Sequence, residues 1–221
     1  MPTMRRRDPE PPPGPPRVQR KPGLADETLR ELAPLLAEEG IDIENLDATD
    51  MATLQQALNR AVERHNMALF NPIGDAREIA LVTLRLVVEA LAEDNTNLAA
   101  AILDQVQPES QDNKTATVSA CVGISLGLLD DWLSGHHPDA PARLAAQTRL
   151  PKGRWIGERA ARDILALASK GRAFRTLGSL ITRQGGQHVL YGSALALTAA
   201  VRAWSHLTDT PAAEVARTII R

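Results

Sequence analysis

Apolar residues recur at intervals of three and four along almost the whole chain beyond residue 25, and this spacing most constrains the fold. Residues spaced in this way share one face of an α-helix, whereas a half-buried β-strand needs strict alternation. The apolar set contains 34 Ala and 29 Leu but only two Phe, one Tyr and three Trp. Ala and Leu favour helices, and strand-forming aromatic residues are scarce. The sequence therefore predicts an all-α fold with eight or nine helices in a bundle, around one extended core or as two small bundles.

Changes in composition divide the 221 residues into four predicted segments. Residues 1–22 contain an arginine triplet and a proline run between Pro9 and Pro16. Proline fixes φ and has no amide donor, so this tail is predicted to be disordered or polyproline-like. The remaining predicted segments are an N-terminal helical segment (residues 23–72), an acidic helical unit (73–139) and a basic helical unit (140–221).

Helix boundaries are predicted from capping signals. Asp75 and Glu78 form an acidic variant of the capping box, which marks a helix start. That helix carries apolar residues at helical spacing, namely Ile79, Val82, Leu86 and Ala90. Near the C-terminus, Thr210 is a predicted N-cap with Pro211 as the first helical residue.

Two long apolar helices, residues 115–133 and 188–205, are predicted to be central to the bundle. They end near Trp132 and Trp204, which carry much of the scarce aromatic area and are predicted to be buried. Gly123 and Gly127 lie four residues apart in the first of them, and we expect both to allow close helix packing.

The acidic and basic units share a long–short–long rhythm of predicted helices. The segment Ala161–Ile164 (ARDI) resembles Ala76–Ile79 (AREI) in sequence and in its place within this rhythm. Two related three-helix units, produced by duplication, are therefore one hypothesis. Similar composition alone is the other, because Ala-rich helices resemble one another.

The net charge of −2 conceals opposed blocks of charge. Residues 1–21 carry a net +4, residues 22–139 a net −15, and residues 140–221 a net +9. Such asymmetry indicates either that one half docks on the other or that separate surfaces meet different partners.

Ten Lys/Arg lie between Arg143 and Arg183 against only two acids, Glu158 and Asp163. On a predicted helix over residues 172–184, one face combines guanidinium and hydroxyl groups suited to phosphate contacts. Its members are Arg172, Arg175, Thr176, Ser179 and Arg183. The preceding helix and a break at Lys170–Gly171 complete a loose helix-turn-helix outline. The alternative is that these arginines dock on the acidic half or on an acidic partner.

Other polar residues carry weaker signals for chemistry. Asp130 and Asp131 lie near His136 and His137, but adjacent helical carboxylates diverge by about 100° and cannot easily share one ion. Their position at a helix C-terminus instead predicts a compensating arginine. Cys121 is predicted to be a buried structural thiol. We find no phosphate loop, nucleophile elbow or HExxH spacing, and therefore expect no enzyme activity, cofactor or metal.

These observations predict a non-enzymatic helical interaction protein, either an adaptor or a self-associating scaffold, with a protein partner or a second copy as its target. The alternative is a DNA-binding transcriptional regulator that uses the face at residues 172–183. A single cysteine and the lack of a signal peptide favour the cytoplasm, and no membrane partner is expected. Arginine outnumbers lysine 21 to 4, which is typical of a GC-rich bacterial coding sequence.

Overall fold

The computed structural model describes residues 33–41, 51–108 and 115–221, so the predicted tail at residues 1–22 lies outside the described residues. The described part is all-α, as predicted, and contains no strand beyond one isolated bridge. Its α-helices are α1 (Ala33–Glu38), α2 (Met51–Phe70), α3 (Asp75–Ala92), α4 (Thr96–Leu103), α5 (Val118–Leu133), α6 (Leu144–Gln147), α7 (Glu158–Ala168), α8 (Leu177–Gln184), α9 (Gly186–Thr208) and α10 (Ala212–Ile219). A 3₁₀-helix, Phe174–Thr176, precedes α8. None of the described helices reaches both the length and the apolar content of a membrane span.

The chain divides into two compact units, residues 1–61 and 62–221. In the described part of the smaller unit, Leu36, Ile41 and Ala57 form an apolar cluster. In the larger unit, α9 packs against α3, α5 and α7, and α5 also packs against both α3 and α7. One extended apolar core therefore joins the acidic segment to the basic segment.

The two predicted central helices are observed as α5 and α9, and both are buried on nearly every side. Thr117 starts α5, because its hydroxyl accepts a hydrogen bond from the Ala120 amide at 3.2 Å. Trp132 and Trp204 are buried as predicted, and their rings lie 4.2 Å apart. The aromatic residues therefore join the ends of the two helices inside the core.

Glycine permits two close backbone approaches in the larger unit. A Cβ atom on Gly123 of α5 would lie 2.7 Å from the Phe70 Cα and closer still to its carbonyl oxygen. A Cβ atom on Gly192 of α9 would lie 2.6 Å from the Ala160 Cβ of α7. The prediction for Gly127 is wrong, because nothing lies within 4 Å of the position its Cβ would take.

Two predicted helix starts are wrong in detail. Gly74, with φ 63°, precedes α3, so Asp75 is the first helical residue and no side chain caps this end. A positive φ favours glycine, and the chain therefore enters the helix through Gly74. Pro211 has the extended ψ of 137° and stands before α10, which begins at Ala212.

The spacing of Val82 and Leu86 does not identify the buried face of α3. These two side chains are 42% and 48% exposed, whereas Leu84, Val87 and Val88 lie fully inside the core. Apolar residues occur around most of this helix, so periodicity alone cannot select the face that packs. The core uses the opposite side of α3 and leaves two large aliphatic residues at the surface.

The two halves of opposite charge make specific contacts at the end of the chain. Arg202 of α9 donates hydrogen bonds to the Leu91 and Ala92 carbonyl oxygens and to Asp94 Oδ1, at 2.7 to 3.1 Å. These bonds cap the C-terminal end of α3, where the Leu91 carbonyl oxygen also accepts a hydrogen bond from the Asp94 amide. Two further ion pairs join the halves, Arg217 with Glu89 at 3.6 Å and Arg221 with Asp139 at 3.8 Å.

Candidate functional site

The face predicted from residues 172–184 does not lie on one continuous helix. Residues 174–176 form the 3₁₀-helix and α8 begins only at Leu177. A 3₁₀-helix advances about 120° per residue and an α-helix about 100°, so Arg175 is rotated out of line with Arg183. Leu177 and Leu180 are buried, and Phe174 and Ile181 pack against the core, as predicted.

Arg172, Arg175 and Arg183 are all exposed, but the hydroxyl groups between them are engaged locally. The Thr176 hydroxyl lies 3.0 Å from the Arg172 carbonyl oxygen, and the Ser179 hydroxyl donates to the Thr176 carbonyl oxygen at 2.9 Å. Each hydroxyl has one proton to donate, and a phosphate oxygen would have to compete for it. The predicted face therefore offers guanidinium groups more readily than hydroxyl donors.

Asp130, near the end of α5, anchors the start of this segment. Its Oδ1 accepts a hydrogen bond from the Ala173 amide at 2.8 Å, and its Oδ2 accepts one from the Phe174 amide at 2.9 Å. Burial raises the pKa of Asp130 above its usual value, although the two amide bonds act in the opposite direction. The predicted compensating arginine is wrong, because two backbone amides take its place.

The other members of that polar cluster have separate surroundings. His137 stacks on Trp132, with ring centroids 3.6 Å apart, and its Nδ1 accepts a hydrogen bond from the Asp139 amide at 3.2 Å. Asp131 and His136 are exposed. Over the described ranges, no three His, Cys, Asp or Glu side chains come close enough to hold a metal ion. Cys121 is fully buried, and burial raises the pKa of its thiol to about 12.

The ten Lys/Arg side chains of residues 143–183 are all exposed. We call these ten side chains together the basic surface. Only Arg162 forms an ion pair with an acid in the described part of the chain, and its partner is Glu158 one helical turn away. Among the described residues, none of these ten side chains forms an ion pair with the acidic half, so the predicted docking of these arginines is not observed there. The ion pairs between the halves involve Arg202, Arg217 and Arg221 instead.

A groove of about 540 Å³ opens within the basic surface, where the starts of α7 and α9 and the end of α8 meet. Arg159 and Arg183 supply its positive charge, and the His188 side chain also lines it. Trp155 and Ile156 supply an apolar wall, and Ile156 is 60% exposed. We call this feature the basic groove. It combines positive charge with an exposed aliphatic side chain.

An acidic stripe lies on the outer face of α3. Val82 and Leu86 are at its centre, and four acids share their side of the helix by the spacing of about 100° per residue. These acids are Asp75, Glu78, Glu89 and Glu93. Glu89 contacts Arg217, whereas Asp75, Glu78 and Glu93 are exposed and form no ion pair with any described residue. The acidic stripe therefore has the opposite charge to the basic groove and a similar aliphatic centre.

The sequence prediction placed the functional surface on residues 172–183 and missed both of these features. The sequence offers one sign of the groove, because Ile156 is the one aliphatic residue between Arg154 and Arg159 and a glycine follows it at position 157. It offers none for His188, since only the fold brings the start of α9 to the groove. Comparison with protein-family models, curated proteins and solved structures finds no match to this chain.

Proposed function

We propose that this chain is a non-enzymatic interaction protein, either an adaptor or a self-associating scaffold, whose basic surface binds an acidic protein surface. One observation carries the proposal. The ten Lys/Arg side chains of residues 143–183 are exposed, and nine of them form no ion pair with the described residues. A surface with this density of unpaired positive charge attracts a negatively charged partner.

Salt dependence tests this proposal directly. Exposed ion pairs contribute only about 0 to 1 kcal/mol each, so the affinity must come from several pairs acting together. Fluorescence anisotropy would measure binding of labelled poly-glutamate to the protein at about 50 mM and about 300 mM NaCl, because screening strengthens over this range. We expect tight binding at the lower salt concentration and a large loss at the higher one. Absence of binding at both would contradict the proposal.

A variant with Arg172, Arg175 and Arg183 changed to Glu should bind poly-glutamate much more weakly while it keeps its helical content. The three side chains are exposed and the apolar face of the segment is unchanged, so the fold should tolerate the reversal. Circular dichroism would check the helical content. Unchanged affinity in a folded variant would exclude these arginines from the binding surface.

Binding to DNA is the second candidate function. The arrangement of α7, the turn at residues 169–173 and α8 supports it, since this outline presents three exposed arginines beside a short helix. The engaged hydroxyl groups of Thr176 and Ser179 weigh against it. Duplex binding that weakens with a slope of about 0.9 per phosphate contacted, and that the triple arginine variant loses, would favour this alternative.

We place this function in a bacterial cytoplasm. The single cysteine suits a reducing compartment, and the excess of arginine over lysine suits a GC-rich bacterial gene. Localisation of a tagged full-length chain would test the compartment.

A further inference from the structure

The acidic stripe of α3 is an exposed helix face for which the described residues provide no cover. Val82 and Leu86 are 42% and 48% exposed, whereas the other Val and Leu side chains of α3 are buried. Asp75, Glu78 and Glu93 flank them without ion pairs to described residues. Scattered exposed aliphatic residues are normal, but an exposed aliphatic centre with a polar rim is typical of a protein-binding surface.

The basic groove offers the complementary chemistry on the same molecule. Arg159 and Arg183 provide positive charge, and Ile156 provides an exposed aliphatic side chain beside them. The one acid of the groove, Glu158, already forms an ion pair with Arg162. An acidic helix face would therefore meet an apolar wall and two guanidinium groups that form no ion pair with described residues, although the Arg183 Nε donates a hydrogen bond to the Ser179 carbonyl oxygen.

We infer that the chain self-associates, with the acidic stripe of one copy docked on the basic groove of the next copy. This inference rests on the proposed function, because it names the acidic partner of the basic surface as a second copy of the same chain. The charge of each surface favours this occupant, since the stripe presents the exposed acids Asp75, Glu78 and Glu93 and the groove presents Arg159 and Arg183. Like surfaces repel, so a symmetric pairing of two grooves or of two stripes is disfavoured.

The stripe and the groove share no residue, which makes the interface heterologous. A bound pair then keeps one free groove, on the copy whose stripe is docked, and one free stripe, on the other copy. A heterologous contact of this kind produces closed rings or open chains, according to the rotation between neighbours. Concentration-dependent growth beyond the dimer follows from this geometry.

Sedimentation velocity on the full-length chain tests the inference. At about 20 mM NaCl we expect species larger than the 23.9 kDa monomer, which grow as the protein concentration rises. At about 500 mM NaCl, where the screening length falls to about 4 Å, we expect the monomer alone. A chain that stays monomeric at the lower salt concentration overturns the inference.

Complementary variants locate the interface. The groove variant changes Arg159 and Arg183 to Glu, and the stripe variant changes Glu78 and Glu93 to Lys. Each should remain monomeric alone at the lower salt concentration. An equal mixture should associate, because the intact stripe of the groove variant can meet the intact groove of the stripe variant. Failure of the mixture to associate overturns the inference.

A matched control changes Asp131 and Glu214 to Lys, which is the same change of charge as in the stripe variant, on two exposed acids outside the stripe. This control should associate like the unmodified chain, and equal loss of association would show that net charge, and not the stripe, governs it. Circular dichroism checks each fold. If a Glu or Lys variant unfolds, the pairs Arg159→Gln with Arg183→Gln and Glu78→Gln with Glu93→Gln replace it.

Poly-glutamate binding distinguishes failure of the self-association from failure of the proposed function. If the unmodified chain is monomeric at the lower salt concentration but binds poly-glutamate, the self-association is wrong and the proposed function stands. If it is monomeric and binds no poly-glutamate, both fail. If it is monomeric and binds duplex DNA instead, the partner is a nucleic acid and the inference is overturned.

Discussion

Replacing Asp130 with Ala tests how the fold holds the segment that carries Arg172 and Arg175. The Asp130 carboxylate accepts two hydrogen bonds, from the Ala173 and Phe174 amides, at 2.8 and 2.9 Å. These bonds connect the end of α5 to a segment more than 40 residues later in the chain. They also place a negative charge at the start of the 3₁₀-helix, where backbone amides point outwards. Among the described residues, no other side chain accepts a hydrogen bond from the Ala173 or Phe174 amide.

The expected loss of stability follows from these two bonds. A hydrogen bond to a charged group contributes about 1.5 to 3 kcal/mol, and loss of an Asp cap costs about 0.5 to 2 kcal/mol. Asp130 is only half-buried, so water can reach part of the site and replace some of the lost bonding. We therefore expect Asp130→Ala to lower the free energy of unfolding by about 2 to 3 kcal/mol. For a unit of this size the melting temperature should fall by about 4 to 12 °C.

Urea unfolding followed by circular dichroism would measure the change in stability, and Asp131→Ala is the matched control. Asp131 is the neighbouring residue, is exposed, and makes no side-chain hydrogen bond with the described residues. Its replacement should change stability by less than about 0.5 kcal/mol. Hydrogen exchange should also show faster exchange at residues 173–176 in the Asp130 variant alone. Equal effects of the two variants, or no effect of either, would refute the anchoring role.

Three further predictions concern the core. Gly123→Ala should destabilise the protein by about 1 to 3 kcal/mol in urea unfolding, because its Cβ would overlap the Phe70 backbone. Gly127→Ala is its control and should be neutral or stabilising by up to about 1 kcal/mol, since its Cβ would meet open space. Burial raises the pKa of Cys121 from 9.0 to about 12, so a thiol reagent at neutral pH should modify only the unfolded chain. The stability linked to this thiol is complete below pH 9.0 and declines as the pH rises towards 12, which an alkaline melting series would measure. Trp132→Ala should cost about 3 to 5 kcal/mol, and an unchanged urea midpoint would contradict its role in the core.

Helical spacing and composition were sufficient to predict the all-α fold and the two central helices. They were sufficient because α5 and α9 are apolar on nearly every side, and such helices can lie only inside a core. Apolar residues on several sides also explain why the predicted apolar face of α3 is wrong in part: Val82 and Leu86 keep helical spacing but face outwards. A helix with apolar residues on several sides does not encode in its own sequence which side its neighbours will cover.

The contacts that depend on distant residues could not be predicted. In the sequence Gly123 and Gly127 are equivalent. Only the position of Phe70 in the fold shows that Gly123 packs closely and Gly127 does not. An arginine was expected beside Asp130, because only side chains are visible in a sequence as sources of charge. The backbone amides of Ala173 and Phe174 take that role, and a sequence does not show where backbone donors are left free.

The charge asymmetry of the chain divides into two parts that should respond differently to salt. Arg202 lies within the fold, with its side chain 26% exposed, and binds two carbonyl groups as well as Asp94. Hydrogen bonds to carbonyl groups are insensitive to salt, whereas attraction between exposed charges is screened. We therefore expect the melting temperature, measured at a protein concentration too low for association, to change little between about 20 and 500 mM NaCl, while binding through the basic surface is lost. Arg202→Gln should lower the melting temperature at both salt concentrations, because it removes bonds at the end of α3. Parallel loss of stability and binding with rising salt would show instead that the exposed arginines help to hold the fold.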